Sequence, residues 1–180
     1  MNHIQKKIQK ESKVMTVILT ILIVTLILGI LIPIGILIWI AVNPNADITH
    51  LQGWDIYSST GMELTSLEEV KAEMCTIVVA GLLITSMFIR ALSMFRAISK
   101  EIAPFDKSNA KKLKSIATIL LIYAIVVPIA RAGFYRSFAP DFGVHTSMDA
   151  PFIVLALIFF FIAILFDYGA ELQRESDELL

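Results

Sequence analysis

Charge is missing from this chain where a soluble protein would need it most: no residue between Lys13 and Asp47 carries one. Over the whole chain charged residues make up 17% and hydrophobic residues 57%, against about 25% and about 45–50% in typical soluble domains. An ordinary soluble globule is therefore excluded. Cys75 is the only cysteine, which excludes an intramolecular disulfide and a CxxC redox or zinc site. The net charge of −1 gives no global field for nucleic acid or an acidic substrate. H-E-x-x-H, G-x-S-x-G and a glycine-rich phosphate loop are all lacking, so no recognised catalytic motif argues for an enzyme. No cofactor, catalytic group or metal site is expected.

What is present is a long apolar run. From Val14 to Val42 it would extend about 43 Å as a helix, while about 20 apolar residues suffice to cross a hydrocarbon core about 30 Å thick. A signal peptide has a much shorter core of about 7–15 residues and a small-residue cleavage site, so the span is expected to be retained. Pro33 lies inside it and presses on the carbonyl of Gly29, which favours a bend over a break. A kinked hydrophobic anchor is the preferred reading over a discontinuous substrate-binding helix. Gly29 and Gly35 are candidates for a close-packing face.

Three more spans follow, and the expected fold is all-α: a polytopic membrane protein with four transmembrane helices in a single domain. The spans are expected at 14–42, 74–95, 115–132 and 152–166. Outer loops would cover 43–73 and 133–151, with a cytoplasmic loop at 96–114 and a cytoplasmic tail at 167–180. Thr65-Ser66-Leu67-Glu68-Glu69 contains two overlapping capping boxes, predicting a helix start near Ser66. Asp106 or Ser108 can cap the third helix, and Asp149 before Ala150-Pro151 suits the fourth. His50 with Asp55 is too small a set for a metal site. His145, Ser147 and Asp149 are catalytic residue types without evidence of triad geometry.

The signs of charge are segregated. The basic residues Lys6, Lys7, Lys10 and Lys13 precede the first span, and Arg96, Lys100, Lys107, Lys111, Lys112 and Lys114 fill the 96–114 loop. Arg174 stands in the tail, whereas the outer loops, counted with the end of the third span beside them, hold only Lys71, Arg131 and Arg136. By the positive-inside rule both termini face the cytoplasm. The 96–114 loop sums to +4 and the 167–180 tail to −4 before the terminal carboxylate. A weak, mobile attraction is expected between them. Anionic lipid headgroups compete for the same lysines, and docking of a partner protein is a further reading. Arg90, late in the second span, either snorkels or pairs with another span. Asp167 lies equally far along the fourth span, which makes the two a candidate pair. Beyond it the helix either continues as an amphipathic tail or ends at Gly169 in the left-handed conformation.

The run Phe166-Asp167-Tyr168-Gly169-Ala170-Glu171-Leu172-Gln173-Arg174-Glu175-Ser176-Asp177-Glu178-Leu179 resembles the ending of a bacterial membrane family known as domain of unknown function 2975. Ile98-Ser99-Lys100, Pro104-Phe105 and Asn109 extend the resemblance into the 96–114 loop. It implies a multi-pass protein of the cytoplasmic membrane with unassigned activity. It also implies a signalling partner, a small Cro-type helix-turn-helix regulator encoded nearby. The candidate interaction or structural residues are thus Arg90, Asp167, Tyr168, Gly169, Glu171, Gln173, Asp177, Pro104, Phe105 and Pro33. The expected role is regulatory or interaction-based. The alternative, a small transporter or channel subunit, needs polar groups at mid-depth. Thr16, Thr20, Thr25, Thr76, Thr85 and Thr118 instead carry hydroxyls able to bond their own helix.

Overall fold

The structure is a computed structural model and describes residues 3–44, 50–51, 54–55, 57–58, 61, 63–100, 106–141 and 148–178, with backbone alone at 3–6, 50–51, 54–55 and 177. Four helices account for nearly all of these: α1 (His3–Val42), α2 (Leu67–Lys100), α3 (Lys107–Phe138) and α4 (Ala150–Glu178). All four are long and apolar enough to cross a membrane. Between α1 and α2 lies a two-residue antiparallel ladder, β1 (His50–Leu51) with β2 (Trp54–Asp55), in which His50 is registered against Asp55.

Each helix outruns its apolar stretch, for local reasons. α1 extends back through the lysines of the N-terminal tail without a break and continues through the buried Pro33. α2 starts on one of the two capping boxes. Ser66 Oγ accepts from Glu69 N at 3.2 Å while Ser66 N donates to Glu69 Oε2 at 3.3 Å, and Thr65 N donates to the same oxygen at 2.7 Å. Glu69 thus serves both frames, and the helix opens at Leu67, directly after the Ser66 cap, as expected. Asp106 precedes α3, its carbonyl accepting from Asn109 N and Ala110 N. α4 continues through Gly169 to Glu178, so the amphipathic-tail reading holds and Gly169 does not terminate the helix.

The chain divides into two compact units, one built from residues 1–25, 83–123 and 150–180, the other from 26–82 and 124–149. In the first, α3 and α4 pack large side chains onto small ones. Ala156, Ala163 and Ala170 recur every seventh residue and are all buried, a spacing that keeps one helix face turned to a neighbour. Ile116 and Leu120 of α3 sit with Ala156, and Leu113 with Ala163. Leu19 and Ile23 of α1 pack on Leu92 and Phe88 of α2.

In the second unit Ile40, Leu64 and Val70 form one cluster and Ala72, Tyr135 and Ala139 another. Among the described residues there, the close-packing glycine is Gly81, not Gly29 or Gly35. A Cβ on Gly81 would meet Ile30 Cγ1 at 2.6 Å, whereas nothing lies within 4 Å of one built on Gly29 or Gly35. Glycine spacing identifies positions able to pack closely, but not which of them faces a neighbour.

Candidate functional site

Five of the six threonines singled out above turn their hydroxyls onto their own helix. Thr16, Thr20, Thr25, Thr76 and Thr118 each donate to the carbonyl four residues earlier, at 2.7–3.1 Å. Thr85 differs: its Oγ1 is buried with no hydrogen-bond partner. The ionisable groups carry more chemistry, and they gather in two places.

One is buried in the second unit. Glu73, on the second turn of α2, is 1% exposed. Its Oε2 accepts from Arg131 Nη2 and from Tyr135 Oη, each at 3.0 Å. Arg131 and Tyr135 lie four apart on α3 and so share a helix face, with the guanidinium carbon 5.7 Å from the tyrosine ring centroid. Burial strengthens the attraction between the two charges but also raises the cost of desolvating them, so the loss of one partner alone is what becomes costly. In the sequence Arg131 stands only as one of the few cations outside the basic segments, and Glu73 as the last residue of the expected 43–73 loop, just before the span that begins at Met74. A carboxylate just before one apolar run and a guanidinium at the end of the next were the available signal.

The other is the charged end of the first unit, where the start of α3 meets the tail of α4. Lys114 Nζ lies 3.4 Å from Asp167 Oδ2, and Lys107 Nζ 3.4 Å from Glu171 Oε2. These contacts continue the antiparallel α3–α4 seam outward from Leu113 and Phe166, which share a cluster. The attraction expected between the basic segment and the acidic tail is present. The candidate pair of Arg90 with Asp167 is not. Asp167 pairs with Lys114, and Arg90 is exposed beside Ser108, Lys111, Lys112 and Ser115. Equal distance along two helices fixes depth, but the direction a side chain takes around the axis turns by about 100° per residue.

The remaining candidates are spread along these elements. Glu171 is shared between Lys107 and Arg174, the latter at 3.4 Å. Tyr168 and Gln173 are exposed, Gly169 is half-buried within α4, and Asp177 belongs to its last turn. Pro33 is buried in α1, which belongs to neither place. Pro104, Phe105, His145 and Ser147 lie outside the described residues. Among the described residues no group of three or more His, Cys, Asp or Glu side chains is placed to hold a metal ion.

A family profile described as "Protein of unknown function (DUF2975)" matches residues 55–179. The chain belongs to that family. The match spans α2, α3 and α4, and so includes both charged places, while α1 lies outside it. Comparison of this DUF2975 chain with curated proteins and with solved structures returned no match.

Proposed function

We propose that this DUF2975 chain is a regulatory or interaction protein of the bacterial cell membrane. In this reading it is a single membrane domain with both termini in the cytoplasm, where its charged end meets a protein partner such as a small helix-turn-helix regulator. The observation that carries the reading is the pair of ion contacts Lys107–Glu171 and Lys114–Asp167, each about half exposed on both sides. Exposed pairs contribute only about 0–1 kcal/mol each. A partner that binds the open arrangement better than the closed one therefore needs little differential affinity to displace the tail. The orientation rests on the concentration of lysine and arginine in the tails and the 96–114 loop. No catalysis is assigned, since the sequence carries no catalytic motif.

The threonine hydroxyls spent on their own helices weigh against a transporter or channel subunit, which needs polar groups free to line a path. The test is capture of the full-length chain, extracted from membranes, on a helix-turn-helix regulator encoded beside its gene. Retention at low salt that weakens when Asp167 and Glu171 are held to their lysines by engineered cross-links supports the reading. A regulator that retains none of the chain at low salt sinks it.

A further inference from the structure

We propose that a groove between α2 and the first turns of α3 binds the phosphate of an anionic phospholipid headgroup. The groove has a volume of about 340 Å³ and is lined by Arg90, Ser108, Lys111, Lys112 and Ser115. Three cations and two hydroxyls thus converge on one space with no carboxylate among its walls. A guanidinium offers a flat pair of donors that fits two phosphate oxygens at once, while the ammonium groups add point charge and the serines further donors.

The placing of the lysines on α3 argues that this is a built site and not a diffuse basic stretch. Ser108, Lys111, Lys112 and Ser115 have the i, i+3, i+4, i+7 spacing of one helix face. Lys107 and Lys114 lie roughly 100° further round, and those are the two held by Glu171 and Asp167. One face of the helix is neutralised by the α4 tail and the other keeps its charge. Arg90 and Lys111 have no carboxylate within 4 Å among the described residues. Lys112 is steered along the groove wall by the Ser93 carbonyl at 3.5 Å and Asn109 Oδ1 at 3.4 Å.

Two further facts select a lipid over a free anion. The groove lies at the level where charge gives way to apolar sequence: Lys114 is the last charged residue before the run that begins at Ser115 and continues to Ala130. At such a boundary headgroups meet hydrocarbon. The same face of α3 continues past Ser115 through the half-buried Ile119 to the exposed Ile122, which gives acyl chains an apolar track below a seated phosphate. The proposal stands independently of any protein partner, because it needs only the purified chain and lipid.

The test is native mass spectrometry of the full-length chain in detergent, titrated with phosphatidylglycerol, phosphatidylcholine or inorganic phosphate. Phosphatidylglycerol is expected to bind about tenfold or more tightly than phosphatidylcholine. Arg90→Gln with Lys111→Gln should abolish that preference, and Lys107→Gln with Lys114→Gln, which removes the same number of charges, should preserve it. If the first double variant does not fold, Lys111→Glu alone, at an exposed position, should still lower phosphatidylglycerol binding severalfold. Equal loss in both double variants, no preference in the unaltered chain, or displacement of the lipid by millimolar inorganic phosphate would each overturn the proposal.

Discussion

Arg131 Nη2 donates to Glu73 Oε2 at 3.0 Å across 58 residues of sequence, with the carboxylate side chain 1% exposed and the arginine side chain 12%. The pair ties the first turns of α2 to the last turns of α3 within one compact unit. Tyr135 donates to the same oxygen, so the arrangement is a three-residue clasp.

Breaking that clasp on one side is expected to be worse than removing it. Arg131→Ala leaves a buried carboxylate alone and should destabilise by about 3–5 kcal/mol. Glu73→Leu combined with Arg131→Met removes both charges and should lie much closer to the unaltered protein. Thermal unfolding in detergent of both single variants and the double variant closes the cycle. Additive losses would mean that the 3.0 Å contact carries no coupling.

Gly81 is predicted to resist substitution where Gly29 and Gly35 tolerate it. Gly81→Ala places a methyl 2.6 Å from Ile30 Cγ1. A β-branched side chain in a helix has little freedom to turn away, so a loss of about 1–3 kcal/mol is expected. Gly29→Ala and Gly35→Ala meet open space and should gain about 0.5–1 kcal/mol from helix propensity. Melting temperatures of the three variants, together with Gly81→Ala in an Ile30→Ala background, rank the sites. Failure of the smaller residue 30 to recover stability would refute the packing account.

The exposed pair of Lys114 with Asp167 should couple weakly and through charge. A double-mutant cycle is expected to give about 0.2–1 kcal/mol at low salt. In about 1 M salt, where screening acts beyond about 3 Å, the coupling should fall toward zero. The same cycle run on Arg90 and Asp167 should be additive. Coupling that persists in high salt would mean the contact is held by packing.

The proposed orientation places residue 141 outside and residue 108 inside. In a chain with Cys75→Ser, an impermeant thiol reagent applied to intact cells should label Asp141→Cys and leave Ser108→Cys untouched until the membrane is opened. Both positions are exposed, so labelling reports sidedness and not burial. Labelling of position 108 alone from outside reverses the topology.

Local signals in the sequence reached far in this protein. The Ser66–Glu69 box, Asp106 and Asp149 each stand where a helix begins, because a cap acts within three or four residues of itself. Gly169 lay beyond that reach. Its neighbours Ala170, Glu171 and Leu172 are helix formers, but whether glycine ends a helix depends on whether the following turn is buried, and here Ala170 is. Reading Met74 as the edge of the second span hid Glu73, since hydropathy marks where charge stops and not where a charge is paid back by a partner.

The sequence by itself determined the four apolar helices, the separation of basic from acidic segments and the hydroxyls that fold back on their own turns. All of these depend on the order of residues along one helix, and a helix repeats its geometry wherever it lies. Only the tertiary structure decided that Asp167 meets Lys114 and not Arg90, that Gly81 is the crowded glycine, and that Glu73 is clasped by Arg131 and Tyr135. Each of those depends on the rotation of one helix about its axis against another. A residue's place in the sequence fixes its depth along its own helix; the neighbour it faces is set by packing, where a shift of one residue turns a side chain through about 100°.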